Sequence, residues 1–140
     1  MKNYNKLIIY TDGGARGNPG PAGIGAVIKN KDGKLIDTVS EYIGKTTNNQ
    51  AEYRAVIAAL DKIKDCEAEE LNFFLDSELV VKQLNGEYRV KNQELAPLFV
   101  KIYNTTMKYK KVTFRHVRRE LNKEADKLVN EAIDRAKASV

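Results

Sequence analysis

Residues 7–25 read LIIYTDGGARGNPGPAGIG, an apolar run that breaks at an acid and a glycine-rich turn. Leu7, Ile8, Ile9 and Tyr10 have the length and composition of a short buried strand. Asp12 stands at its end, followed by Gly13, Gly14, Gly17, Asn18, Pro19 and Gly20, residues that favour turns. This reading places a carboxylate at the rim of a sheet. Asp-Gly is also ordinary hairpin punctuation, so Asp12 taken alone reads as a turn residue.

Outward from this stretch, residues 22–29 alternate loosely as a strand, Lys31-Asp32-Gly33 supplies hairpin chemistry, and residues 35–43 return as a third antiparallel strand. Residues 46–49 offer cap residues ahead of a helix carrying Ala51, Ala55, Val56, Ala59, Leu60 and Ile63, with Glu52 expected in its first turn. Leu71, Phe73, Phe74 and Leu75 form a fourth strand closed by Asp76, and Ser77 is placed to cap the next helix. Gly86 stops that helix. Asn92 opens another that runs through Leu95, Leu98 and Ile102, with Pro97 tolerable near its start. A last strand over residues 112–117 precedes a final helix over residues 122–137. The order is three strands, helix, strand, helices, strand, helix. It predicts an α/β protein with a mixed sheet flanked by helices, in one domain over residues 1–140.

The bulk numbers narrow the class. A chain of 140 residues buries enough surface for a core without staples, and its single cysteine, Cys66, cannot form an internal disulfide. The start, MKNYNKLIIYTDGG, has too short an apolar run for a signal peptide, and nothing approaches a membrane span. A soluble cytoplasmic protein without a membrane partner is expected. The net charge of +5 is uneven: residues 1–100 hold 13 Lys and Arg against 14 Asp and Glu, whereas residues 101–140 hold 11 against 5. Lys108, Lys110, Lys111, Arg115, Arg118 and Arg119 crowd one stretch, which suits either a polyanion contact or a solvated face.

In open sheets, sites form at the carboxyl ends of strands, where Asp12 and Asp76 are expected. Glu52 and Asp126, near helix starts, join them if the first and fourth strands lie side by side. Gathered carboxylates repel, so such a site requires cations, and oxygen ligands without Cys or His clusters point to Mg²⁺ or Mn²⁺. Two such ions about 3.5–4 Å apart suit in-line phosphoryl displacement. The competing reading of Glu52 and Asp126 is that of first-turn acids favouring a helix dipole.

Four separated blocks resemble type 1 ribonuclease H: TDGGARGNPGPAGIGAVI around Asp12, TTNNQAEYRAVIAAL around Glu52, LDSELVVKQLNG around Asp76, and HVRRELNKEADKLVNEAI around Asp126. The resemblance covers nearly the whole chain. It implies a five-stranded mixed sheet, three antiparallel strands followed by parallel ones. It also implies metal-dependent endonucleolytic cleavage of the RNA strand of RNA/DNA hybrids, by a monomer using two ions. Carried over by motif, the catalytic and metal-binding carboxylates are Asp12, Glu52, Asp76 and Asp126. Gly13, Ala15, Asn18, Asn48, Asn49 and Gln50 become candidates for hybrid contacts, with helix capping the competing role of Asn48. Backbone groups and amides suit reading a 2′-OH, which both donates and accepts.

The sequence departs from the family in two places. Many members carry a basic helical protrusion with tryptophans, and here that region is only NGEYRVKNQEL, in a chain without Trp. The compact form is expected, with grip supplied by residues 108–119 and a smaller contribution from Tyr88 and Arg89. Many members also place a mobile histidine before the last acid. His116, ten residues before Asp126, fits without a gap. A second alignment keeps His116 inside the strand VTFRHV, packed or hydrogen-bonded, and puts Arg118, Arg119 or Glu120 in the mobile position. The continuous strand pattern favours the second. Asn122 is a candidate partner of Asp126, or a helix cap.

Overall fold

Strand pairing carries the expected elements further than their apolar runs. Strand β1 spans Asn3–Ala15, β2 Gly20–Asn30, β3 Leu35–Thr46, β4 Glu67–Leu75 and β5 Lys111–His116. The helices are α1 Asn48–Lys62, α2 Glu78–Leu84, α3 Ala96–Thr106 and α4 Lys123–Ala138, with a short 3₁₀ turn at Arg119–Leu121. The computed structural model describes residues 2–139, so the two terminal residues of the expected domain lie outside the described residues.

The sheet order is β3-β2-β1-β4-β5. Strands β1, β2 and β3 are antiparallel, while β4 pairs parallel with both β1 and β5. The five-stranded mixed sheet is as expected, and β1 and β4 do lie side by side. Helix α1 covers one face with α2 and α3 beside it, and α4 crosses the other face over β1, β2 and β3. Leu7, Ile9, Ile28, Val56, Leu71, Phe73, Leu75 and Val80 fill the core between sheet and helices. Tyr53, wholly buried, donates its hydroxyl to Gln83 Oε1 at 2.7 Å and so satisfies both polar atoms across α1 and α2.

Three expectations change. Strand β1 does not stop before Asp12: it pairs with β2 as far as Ala15↔Ala22, and the turn proper is residues 16–19. Gly13 is therefore a strand residue, and its missing side chain admits α1, because a Cβ there would lie 2.2 Å from the Ala51 carbonyl carbon. Gly25 does the same for α4, with a Cβ falling 2.4 Å from Ala125 O. Glu52 is not in the first turn of α1. Thr47 caps that helix, accepting from Gln50 N at 3.2 Å, so the helix starts at Asn48 and Glu52 falls in the second turn. Helix α3 begins at Ala96 rather than Asn92, whose side chain instead accepts from Glu94 N at 2.7 Å and closes a turn ahead of it.

Candidate active site

Register brings the first two acids together. In the parallel β1–β4 ladder Tyr10 pairs with Phe74, and their rings stack with centroids 5.0 Å apart. Side chains alternate along a strand, so two residues further on Asp12 and Asp76 continue the same face, beyond the end of the β1–β4 pairing. Glu52 arrives from the other layer. The close approach of α1 over Gly13 lets Gly13 N–H donate to Glu52 Oε1 at 2.9 Å. Asp12, Glu52 and Asp76 each present one oxygen within 4.8 Å of the others. Asp126, in the first turn of α4, adjoins Asp12 outside that triad and lines the same cleft of about 440 Å³.

This arrangement is costly without a cation. Burial, then the charge of Asp76, then a shared hydrogen bond with Asp126 push the Asp12 carboxyl from 3.8 up to about 8. Burial, then Asp12 and Asp76, hold Glu52 well above its ordinary value, against the Gly13 N–H and the Arg119 guanidinium. The donors are all carboxylate oxygens, with no Cys or His in the cluster, so the residues present fit a hard divalent cation.

The sign of the linkage is fixed by these shifts. Between pH 3.8 and about 8 the folded state keeps the Asp12 proton that the unfolded chain has lost. Stability of the metal-free protein is therefore expected to fall as pH rises through that interval, and millimolar divalent ion to restore it near pH 8. Calorimetric Tm against pH, with chelator and with Mg²⁺, checks this, at about 2–8 °C per kcal/mol for domains near this size. A Tm independent of pH in chelator would contradict it.

The expected hybrid contacts are tied to one another. Ala15 N–H donates to Asn48 Oδ1 at 2.8 Å, and Asn48 N–H donates to Asn18 Oδ1 at 3.0 Å. Asn48 thus fastens the turn to α1 and does not cap the helix, which is the task of Thr47. Gly13, Ala15, Asn48 and Asn49 line the cleft, whereas Asn18 and Gln50 do not. Gln50 is engaged by its neighbours, accepting from Thr46 Oγ1 at 2.7 Å and donating to Glu94.

Of the auxiliary candidates His116, Arg118, Arg119 and Glu120, the cleft is lined by Arg119 alone. His116 closes β5, as the strand pattern favours, but is exposed, neither packed nor hydrogen-bonded among the described residues. Asn122 is buried, yet its side chain neither caps α4 nor meets Asp126. Its Nδ2 donates to Thr11 O at 2.9 Å and reaches Asp76 Oδ2 at 3.4 Å. The amide that does meet Asp126 is that of Asn130, four residues on along α4. That spacing was a legible signal. Arg16 and Ser77, which also line the cleft, had none.

The basic stretch does not form one surface. Strand β5 runs parallel to β4, with Lys111 opposite Glu70 and His116 opposite Leu75. Lys110 and Lys111 therefore lie at the far end of the sheet from Asp76, roughly 16 Å along the strand from His116, after which Arg118 and Arg119 follow. Lys110 pairs there with Glu69 at 3.5 Å.

A mixed five-stranded sheet gathering carboxylates at its rim defines the ribonuclease H-like class of fold. A family model described as Reverse transcriptase-like matches residues 10–132. A bifunctional protein of Mycobacterium tuberculosis is 42% identical over 135 residues, which cover 96% of this chain and 37% of that protein. Ribonuclease HI of Halobacterium salinarum is 40% identical over 127 residues, covering 91% of this chain and 64% of the relative. The chain thus spans less than two thirds of the length of these two relatives. The crystal structure of LC11 ribonuclease H1, isolated from compost, in complex with an RNA/DNA hybrid matches with a TM-score of 0.89 at 49% identity, covering 93% of this chain and 98% of that one. The chain belongs to the type 1 ribonuclease H family, in a compact form whose α2 and α3 are joined by residues 85–95 without an inserted helix. Among the described residues no helix is long and apolar enough to cross a membrane.

Proposed function

We propose that this chain is a metal-dependent endoribonuclease that hydrolyses the RNA strand of RNA/DNA hybrids, as a single monomeric domain in the cytoplasm. The observation that carries the reading is the convergence of Asp12, Glu52 and Asp76 within 4.8 Å, on a cleft rimmed by amides. Asp12 and Asp76 would hold both of two Mg²⁺ or Mn²⁺ ions, with Glu52 completing one site and Asp126 the other. Bound ions supply Lewis acidity and an activated water for in-line displacement at phosphorus.

The protein's own residues do the positioning. Gly13 N–H fixes the Glu52 carboxylate, and the Asn122 amide orients Asp76 from behind. Asn48 Oδ1 is taken by Ala15 N–H, which leaves the Asn48 amide NH₂ as the donor that it and the neighbouring Asn49 would offer from the cleft to a minor groove. Such groups recognise the 2′-OH and the A-like shape of the RNA strand without reading sequence. Arg119 offsets carboxylate charge at Glu52 and would be free to face a phosphate where bound cations neutralise the acids.

Incubation of the purified protein with a labelled hybrid and Mg²⁺ or Mn²⁺ tests the reading. Cuts confined to RNA support it. Binding without cuts would make the domain a non-catalytic nucleic-acid scaffold, and cutting of all-DNA duplex would make it a different nuclease. The division of the basic stretch adds an expected result. Replacing Arg118 and Arg119 by Ala should flatten the salt dependence of hybrid binding by roughly one slope unit per lost contact, while replacing Lys110 and Lys111 leaves the slope unchanged. The reverse pattern, read from binding titrations across salt, would place the duplex at the other end of the sheet.

A further inference from the structure

Asp126 stands apart from the triad, on the first turn of α4, and its presentation depends on groups that the reaction scheme above does not use. Asn130, one turn further along, donates Nδ2 to the Asp126 carbonyl oxygen at 3.1 Å and reaches Asp126 Oδ2 at 3.5 Å. A carboxamide has an acceptor end and a donor end, and only the donor end can meet a carboxylate. Arg16 decides which end faces Asp126. Its Nη2 donates to Asn130 Oδ1 at 3.2 Å, and a guanidinium has donors only, so it selects the oxygen and leaves the NH₂ for Asp126. Arg16 is itself held by Asp134, whose Oδ1 lies 2.7 Å from Nη1. Asp126, Asn130 and Asp134 are spaced by four along one face of α4, and the Arg16 backbone N–H closes the β1–β2 turn on Pro21 O at 2.8 Å.

We propose that Asn130, oriented by Arg16, is a positioning residue that presents Asp126 to a divalent cation, and that Arg16 thereby couples the β1–β2 turn to the fourth carboxylate. The inference rests on the ribonuclease reading, in which Asp126 is a metal ligand. The residue type fits the task. An aspartate at position 130 would set a second negative charge beside Asp126, whereas the amide adds a donor without charge. Asp134 and Asn130 engage both terminal nitrogens of Arg16, which directs the guanidinium along α4.

The test uses Mn²⁺ alone as probe, by titration calorimetry on the full chain, together with the Mn²⁺ dependence of hybrid cleavage. Asn130→Ala is expected to weaken Mn²⁺ binding about 10-fold and to raise the Mn²⁺ needed for half-maximal cleavage by the same factor, the usual range for groups behind a metal ligand. KM for the hybrid and the thermal midpoint should not move, since Asn130 is exposed. Arg16→Ala should give the same Mn²⁺ defect, the double variant no more than either alone, and Arg16→Lys, still a donor only, should restore most of it. Unchanged Mn²⁺ affinity in Asn130→Ala overturns the proposal. So does an Arg16→Ala variant with normal Mn²⁺ affinity, raised hybrid KM and a flatter salt slope, which would make Arg16 a phosphate contact. If the unaltered protein fails to cleave hybrid at any Mn²⁺ concentration, the ribonuclease reading itself falls, a result distinct from either.

Discussion

Asp76→Asn is expected to lower hydrolysis of the RNA strand by about 10³-fold or more, equivalent to about 4 kcal/mol of transition-state stabilisation. The substitution keeps shape and removes one negative charge from a cluster whose oxygens lie within 4.8 Å of one another. A divalent cation held by that cluster loses a ligand that no neighbour replaces, because Asn122, the group behind Asp76, offers only an amide. The fold should not suffer. Asp76 is among the charges that push Asp12 and Glu52 upward, so its removal relieves repulsion in the metal-free state. The expected variant has a Tm equal to or above that of the parent, retains most hybrid binding, and shows almost no cleavage on a labelled substrate. Near-normal cleavage would remove Asp76, and with it the triad, from the chemistry.

Gly13→Ala is expected to act through the fold. A Cβ at this position would stand 2.2 Å from the Ala51 carbonyl carbon, 2.3 Å from its oxygen and 2.5 Å from Glu52 N. These are backbone atoms of α1, so no side-chain rotation relieves the overlap, and the helix must move off β1. Overpacking of this kind costs about 1–3 kcal/mol, and the absence of any soft neighbour places Gly13→Ala at or beyond the upper end. The same shift breaks the 2.9 Å bond from Gly13 N–H to Glu52 Oε1, so stability and cleavage should fall together. Urea unfolding checks the first and hybrid cleavage the second. A variant with the parental midpoint would show that α1 is less tightly seated than the distances imply. Gly14→Ala is the matched control, since its Cβ would meet only Val129 Cγ1 at an ordinary 3.9 Å.

These two glycines differ in what surrounds them, which composition does not encode. In the run DGGARGNPG every glycine looks like part of one turn, because composition reports permissiveness and not what occupies the space. Gly13 lies inside β1 under α1, and Gly17, at φ 94°, is the residue that the turn needs. Asn48 and Asn122 were ambiguous for a related reason. An amide next to a helix start is a cap or a long-range partner according to what lies across from it, and here Ala15 and Thr11 lie across. Residues 108–119 read as one cluster because they are close in sequence, while β5 carries the two ends of that stretch to opposite ends of the sheet.

Local chemistry wrote the rest plainly. The apolar runs ahead of Asp12 and Asp76, Ser77 ahead of Glu78, Gly86 after α2 and the apolar stripe of α4 sufficed for the order of elements and for a mixed sheet flanked by helices. The four acid-centred blocks made Asp12, Glu52, Asp76 and Asp126 the candidates. Sequence by itself determined which groups are present and which elements bear them, since propensity, capping and periodicity act within a few residues. Only the tertiary structure decided that Asp12 and Asp76 follow the paired residues Tyr10 and Phe74, that Gly13 N–H holds Glu52 beside them, and that Asn130 rather than Asn122 bonds Asp126. Those relations depend on strand pairing and on the approach of helix to sheet, distances set between residues far apart in the chain.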